Sequence, residues 1–169
     1  YKKGWLFMKI TFGGKAVELK GKVLKVGDKL ENFSAVNNDL SPFKLSDIKG
    51  RKLILAVPSL DTSVCDAEIR RFNTEATKFG DVTVIAVSMD LPFAQSRWCG
   101  AAGVDKVITV SDFKDRDFAD KSGTYIKDVG LLARSVFLLD ENNNVKYVEY
   151  VSEVTHHPNY QDALKAIQA

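Results

Sequence analysis

The chain carries, from residue 52, the apolar run Lys52-Leu53-Ile54-Leu55-Ala56-Val57, followed at once by Pro58-Ser59-Leu60-Asp61-Thr62-Ser63-Val64-Cys65. A short apolar run without polar alternation is typical of a strand that is buried on both faces of a sheet. The proline and the polar residues behind it end the strand and form a loop. This junction predicts the centre of an α/β fold and the sheet edge at which a functional site would lie.

The loop leads into an amphipathic helix that we expect over residues 63 to 78. Its apolar positions recur at spacings of three and four, and they are Cys65, Ile69, Phe72, Ala76 and Phe79. Asp61, Thr62 and Ser63 all suit the N-cap, so Cys65 falls in the first helical turn whichever of them caps. Free backbone N–H groups and the helix dipole favour an anion there, which predicts a lowered thiol pKa.

Further strands and helices alternate along the chain. We predict buried strands at 82–87 and 107–110, helices at 92–102, 116–122 and 160–167, and a hairpin of 135–139 with 145–150. A second hairpin is expected near the N-terminus, where Met8–Phe12 and Ala16–Lys20 flank Gly13-Gly14-Lys15. The order of the elements predicts an α/β fold with a mixed, largely parallel central sheet and helices on both faces.

Length and composition limit the class of protein. The chain has 169 residues, of which 45% are apolar and 27% charged, as in one globular domain. Its 24 basic and 22 acidic residues leave a net charge of +2, which argues against a nucleic acid or an anionic membrane as partner. No stretch reaches the roughly 20 apolar residues of a membrane-spanning helix. We assign residues 8–169 to one domain and residues 1–7 to a remnant of expression or an extension.

The chain has two cysteines, Cys65 and Cys99. No export signal is visible, so we expect a cytoplasmic, reducing location, where cysteines are more often catalytic or redox-active than a permanent bridge. Composition alone leaves a second interpretation open, in which both cysteines are inert core residues.

Five segments resemble a known family. The pattern Pro58-x-x-x-Thr62-x-x-Cys65 is the peroxiredoxin active-site motif, and the full string from Pro58 to Cys65 is similar to the bacterial thiol peroxidase branch, the atypical two-cysteine peroxiredoxins. The resemblance continues through Arg70-Arg71-Phe72-Asn73, Ser88-Met89-Asp90-Leu91-Pro92-Phe93-Ala94-Gln95-Ser96-Arg97-Trp98-Cys99, Ala133-Arg134-Ser135-Val136-Phe137 and Pro158-Asn159-Tyr160. It covers essentially everything from Met8 onward.

The resemblance implies a role for each matched residue. Cys65 would be the peroxidatic cysteine, which a hydroperoxide oxidises to a sulfenic acid. Thr62 would hydrogen-bond the substrate oxygens, Arg134 would hold the thiolate and polarise the peroxide, and Pro58 would shield the pocket from water. Cys99 would be the resolving cysteine, which condenses with the sulfenic acid to an intramolecular disulfide.

The resemblance also implies the fold and the partners. The family has a thioredoxin-like fold with an added N-terminal hairpin. Its members reduce hydrogen peroxide or organic hydroperoxides without metal, haem or flavin, are recycled by thioredoxin and usually form homodimers.

The two cysteines are expected on separate helices with a strand between them. A disulfide requires Cα atoms within about 7 Å of each other. We therefore predict that one or both helix ends unwind locally during turnover, and that Trp98, next to Cys99, reports this as a change in fluorescence.

Other functions remain open at this point. A thioredoxin-like redox sensor or binding module could switch a partner through Cys65 and Cys99. A disulfide exchange enzyme is disfavoured because the chain has no Cys-x-x-Cys. A zinc site or a Cys–His hydrolase that uses His156 and His157 is also disfavoured, because the cysteines are too far apart in sequence and the histidines lie in a turn.

Overall fold

A computed structural model of the chain describes residues 9–169. The assignment of residues 1–7 and the start of the first hairpin at Met8 lie outside these residues. The strands are β1 (Ile10–Phe12), β2 (Lys15–Val17), β3 (Leu19–Lys20), β4 (Ser34–Val36), β5 (Pro42–Lys44), β6 (Arg51–Ala56), β7 (Val82–Ser88), β8 (Val107–Ser111), β9 (Tyr125–Ile126), β10 (Leu131–Leu132), β11 (Ser135–Leu139) and β12 (Val145–Tyr150). The helices are α1 (Ser63–Glu75), α2 (Pro92–Ala102), α3 (Asp117–Ser122) and α4 (Tyr160–Gln168), with 3₁₀ turns at Leu45–Asp47 and Ala76–Lys78.

Seven strands form the central sheet, in the order β12-β11-β6-β7-β8-β4-β5. The pairs β6–β7 and β7–β8 are parallel, and the other four are antiparallel. The prediction of a mixed sheet is confirmed, whereas the prediction that it is largely parallel is wrong. Only the strands that a helix connects, β6–β7 and β7–β8, run parallel. A hairpin, β11–β12 or β4–β5, forms each edge of the sheet, and its inner strand runs antiparallel to the parallel strands.

The strand at the sheet centre separates two hydrophobic cores. Leu53 and Leu55 of β6 face the core that is covered by α1 and α4, against which Trp98 of α2 also packs. Ile54 and Ala56 face the opposite core, which contains Phe118 of α3. Since successive side chains of a strand point to opposite faces, an apolar run at this place buries every residue.

The N-terminal hairpin has a two-residue turn. Phe12 of β1 pairs with Lys15 of β2, and both turn residues, Gly13 and Gly14, have positive φ of 62° and 84°. Glycine meets this requirement without a steric penalty. The predicted hairpin is thus confirmed for the described residues, but its second strand is shorter than predicted, since Leu19 and Lys20 form β3 and pair with β9. The sequence analysis missed β5 because its first residue is Pro42, which is tolerated there because β5 is an edge strand.

Gly123 should be the glycine least able to accept a side chain. It ends α3 at φ 68°, and a Cβ added there would lie 2.6 Å from the backbone nitrogen of Val23. Gly103 ends α2 at nearly the same φ, 67°, with no atom within 4 Å of an added Cβ. We expect Gly103→Ala to lower the free energy of unfolding by about 1 kcal/mol and Gly123→Ala by about 3 kcal/mol or more. Urea denaturation of the reduced proteins measures both, and equal losses would contradict the close approach to Val23.

Candidate active site

Cys65 lies in the first turn of α1, and Thr62 is the N-cap of that helix. Thr62 has an extended backbone, and its Oγ1 accepts a hydrogen bond from the Cys65 backbone N–H at 3.3 Å. The same hydroxyl donates to the carbonyl oxygen of Ser59 at 3.1 Å. Thr62 therefore fixes the loop that leads from β6 into α1, and it places its hydroxyl beside Cys65.

Arg134 reaches Cys65 because of the register of the sheet. Strand β11 runs antiparallel to β6, and Ser135 pairs with Ala56, so Arg134 lies beside the end of β6. Its Nη1 donates to Cys65 Sγ at 3.1 Å. The guanidinium is 1% exposed and the thiol 0% exposed. The structure thus brings together Cys65, Thr62 and Arg134, which sequence analysis selected as site residues.

The sequence analysis missed Glu68, which also contacts Arg134. The Nη1 of Arg134 donates to Glu68 Oε1 at 2.8 Å, and Glu68 is 0% exposed. Burial raises the pKa of the Glu68 carboxyl to about 7, although the Arg134 charge opposes the shift. A sequence signal was present, since Glu68 follows Cys65 by three positions on the buried face of α1, where an acidic residue needs a partner.

Burial raises the pKa of the Cys65 thiol. The Arg134 charge, the Thr62 hydroxyl and a backbone hydrogen bond from Ser59 all act to lower it, without reversing the shift. The prediction of a lowered pKa from the helix start alone is wrong, because it took no account of the desolvation of an enclosed sulfur.

A loop after β12 holds Arg134 from the other side. The Nε of Arg134 donates to the carbonyl oxygen of Val154 at 2.8 Å, and the Val154 N–H donates to the carbonyl oxygen of Thr11 at 2.8 Å. Next to it, Glu153 accepts from the hydroxyl of Thr11 at 2.7 Å and from the backbone N–H of Gly14 at 2.7 Å. The N-terminal hairpin is therefore tied to the loop that orients Arg134.

The other two predicted site residues are Pro58 and Cys99. Pro58 is buried two residues after the end of β6, at the start of the loop that leads to Cys65. Cys99 is partly buried on α2, and its Sγ lies 3.3 Å from Thr109 Oγ1 on β8. Both cysteines are free thiols. The structure places Cys99 in a contact of its own, away from Arg134.

The two histidines lie outside this site. His156 and His157 are exposed, and His157 Nδ1 is 2.7 Å from the Tyr160 hydroxyl. Across residues 9–169, no group of three or more His, Cys, Asp or Glu side chains could hold a metal ion. In the same part of the chain, no helix is long and apolar enough to cross a membrane.

A comparison with known protein families settles the family. The model of the Redoxin family matches residues 25–164, a range that contains all the predicted site residues. The chain belongs to the redoxin family.

Two relatives and one solved structure show which redoxins this chain resembles. The thiol peroxidase of Bacillus subtilis is 55% identical over 161 residues, which cover 95% of the chain and 96% of that protein. The thiol peroxidase of Clostridium acetobutylicum is 51% identical and covers 96% of the chain and 99% of its own length. A crystal structure of a peroxiredoxin-like protein from Aquifex aeolicus has a TM-score of 0.87 at 37% identity, with coverage of 95% and 96%.

These likenesses confirm two predictions made from the sequence. The redoxin chain has the expected α/β, thioredoxin-like fold, with a mixed central sheet, flanking helices and an N-terminal hairpin. It is also the expected thiol-dependent peroxidase of the peroxiredoxin type.

Arg134 should control the ionisation of Cys65 in this redoxin. Its positive charge lowers the thiol pKa, so Arg134→Gln should raise that pKa further and shift the thiolate fraction to higher pH. At pH 7 we expect about tenfold slower alkylation of Cys65 by iodoacetamide, which corresponds to one pKa unit. The measurement is the alkylation rate from pH 5 to 10 in a Cys99→Ser background.

Two controls separate this effect from general disruption. Arg134→Lys keeps the charge and should lie between the parent and Arg134→Gln. Arg97→Gln removes an exposed arginine on α2 and should leave the profile unchanged. If iodoacetamide alkylates Cys65 of Arg134→Gln with the pH profile of the parent, the guanidinium does not govern the pKa of the Cys65 thiol.

Proposed function

We propose that Cys65 is the peroxidatic cysteine, and that the peroxidase reduces hydrogen peroxide and organic hydroperoxides through it. The observation that carries this proposal is the 3.1 Å contact between the Arg134 guanidinium and the enclosed Cys65 sulfur. The thiolate attacks one peroxide oxygen, and the O–O bond breaks. The other oxygen leaves with a proton as water or an alcohol, and Cys65 becomes a sulfenic acid.

Arg134 is proposed to stabilise the oxygen that leaves. A guanidinium has five N–H donors, and the contacts to Cys65, Glu68 and Val154 use the two on Nη1 and the one on Nε. Within residues 9–169, no hydrogen bond uses the two on Nη2, which we assign to the substrate. Donors of this kind, fixed before the reaction, stabilise developing negative charge strongly in a site that excludes water.

Thr62 and Pro58 are proposed to complete the pocket. The Thr62 hydroxyl lies beside Cys65 and, after a small rotation away from Ser59, can donate to a substrate oxygen. Pro58 has no N–H group, and its buried ring is suited to keeping water away from the sulfur. Since Cys65 is 0% exposed, the surrounding side chains must move to admit the substrate.

Cys99 is proposed to resolve the sulfenic acid. Its thiol attacks the Cys65 sulfur, the S–O bond breaks, water leaves, and an intramolecular disulfide forms. A thioredoxin then donates two electrons and two protons, which restore both thiols. This cycle needs no metal, haem or flavin, and a reducing compartment such as the cytoplasm suits it.

One equivalent of hydrogen peroxide should convert the reduced parent protein to a species two hydrogens lighter with no free thiol. Cys99→Ser should gain one oxygen instead, because its sulfenic acid has no thiol partner. A thioredoxin system with NADPH should restore both thiols of the parent. Intact mass and a thiol count measure each state.

Cys65→Ser is the matched control. It keeps Cys99 and should lose no thiol when one equivalent of hydrogen peroxide is added. If the parent keeps both thiols, the peroxidatic assignment of Cys65 fails. If Cys99→Ser forms a product two hydrogens lighter, or is recycled like the parent, the resolving role of Cys99 fails.

We also propose that the enzyme is a homodimer. Three large apolar side chains, Leu91, Phe93 and Phe113, are 52%, 67% and 39% exposed and follow the carboxyl ends of β7 and β8, where we infer an apolar patch. The two segments lie together, since the Asp112 N–H donates to the Ser88 carbonyl oxygen at 2.9 Å. An apolar patch of this kind marks an interaction surface, and a second copy of the chain would cover it.

Phe93→Ser should weaken the proposed dimer, because it places a polar group at the centre of the apolar patch. Val26→Ser changes an apolar side chain of similar exposure, 61%, elsewhere on the surface, and should leave the dimer intact. Sedimentation equilibrium at micromolar concentration measures both. A monomeric parent, or equal association of the two variants, would refute an interface at this patch.

A further inference from the structure

The two cysteines lie in different environments, and the sheet keeps them apart. Cys65 Sγ contacts Arg134, which directly precedes β11, whereas Cys99 Sγ contacts Thr109 on β8. Strands β11 and β8 are separated by β6 and β7, which makes three strand spacings or about 14 Å. A disulfide brings the two Cα atoms within about 7 Å. This separation of their contact partners indicates that the helices that carry the cysteines open before the bond forms.

A side-chain cluster joins these two helices at the residues adjacent to the cysteines. Asp66 follows Cys65, and its Oδ1 accepts from Nε1 of Trp98, which precedes Cys99, at 3.0 Å. Asp66 Oδ2 accepts from Arg70 Nε at 2.9 Å. We call Asp66, Arg70 and Trp98 the helix clasp.

The helix clasp also holds the end of α2. Arg70 Nη1 donates to the carbonyl oxygen of Ala102, the last residue of that helix, at 3.0 Å, and its Cζ lies 6.0 Å from the Trp98 ring centroid. The carbonyl groups of a last helical turn have no partner within the helix, so this contact stabilises the turn. Trp98 also packs against the core beneath α1.

Opening of α2 at Cys99 breaks these contacts. The clasp therefore sets the equilibrium between the closed helices and the open form in which Cys99 can reach Cys65. Stronger closure makes the open form rarer and the disulfide slower to form.

A slow disulfide step leaves the sulfenic acid exposed to a second reaction. With Cys99 it loses water and becomes a disulfide. With a second hydroperoxide molecule it takes up one oxygen and becomes a sulfinic acid, while the hydroperoxide is reduced to water or an alcohol. The two reactions compete for the same sulfur, and only the first requires the helices to open.

We propose that Asp66, Arg70 and Trp98 are positioning residues that set the rate of disulfide formation, and thereby the hydroperoxide concentration at which Cys65 is overoxidised. This inference rests on the proposed roles of Cys65 and Cys99. The clasp residues do not touch the sulfur of either cysteine, so the first reaction with peroxide does not depend on them.

Trp98→Phe is the most conservative test, since it removes the indole N–H and keeps an aromatic ring in the core. We expect a disulfide step about three- to tenfold faster than in the parent, because the lost hydrogen bond has a charged acceptor that is partly exposed. The peroxide concentration that converts half of Cys65 to sulfinic acid should rise by the same factor. Rapid acid quench with intact mass separates the sulfenic, disulfide and sulfinic species.

Asp66→Asn is a second variant that keeps an acceptor for Trp98 but loses the charge that pairs with Arg70, and it should show a smaller effect of the same sign. Glu75→Gln is the matched control, because Glu75 pairs with Arg71 on the same helix and neither residue contacts α2 in the described structure. It should change neither step. A purely structural role of the clasp would lower the melting temperature without changing the ratio of disulfide to sulfinic acid.

The outcomes distinguish the two proposals. If the parent forms no sulfenic acid with peroxide, the proposed function fails and this inference fails with it. If the parent forms its disulfide and Trp98→Phe and Asp66→Asn form theirs at the parental rate or more slowly, the inference is wrong and the proposed function stands.

Discussion

The site and the strands around it depend on one buried guanidinium, that of Arg134. It is 1% exposed, and its contacts come from two other parts of the chain: Cys65 and Glu68 of α1, and the carbonyl oxygen of Val154. A buried charge that loses its partners is strongly destabilising, so β11, the start of α1 and the loop after β12 must stay in register. The site and the packing of the fold are therefore held by the same contacts.

The same arrangement explains how the chain can keep a reactive thiol enclosed. Burial raises the pKa of Cys65, while the Arg134 charge and the Thr62 hydroxyl oppose that shift. The thiol is thus shielded from solvent while the donors that would stabilise a thiolate are already in place. In the proposed cycle, substrate entry requires movement around Cys65, and formation of the disulfide requires movement between α1 and α2. The contact of Asp66 with Trp98 joins the two helices at the residues next to the cysteines.

The sequence by itself determined the features that depend on residues adjacent in the chain, such as strands, helices and helix caps. The run 52–57 became the central strand β6, because its residues from Leu53 to Ala56 are apolar and a strand buried on both faces favours apolar side chains. The three-and-four spacing after it became α1, and the cap residue Thr62 placed Cys65 in the first turn. Arg134 was found through the family motif, since its own surroundings in sequence contain no partner for the charge.

Only the tertiary structure decided the properties that arise between distant segments. Glu68 meets Arg134 across 66 positions of sequence, and Trp98 meets Asp66 across 32, so no local pattern identifies either pair. The direction of the Cys65 pKa shift was predicted wrongly for the same reason. A helix start is a local feature that favours the thiolate, whereas the desolvation that outweighs it comes from residues that folding packs around the sulfur.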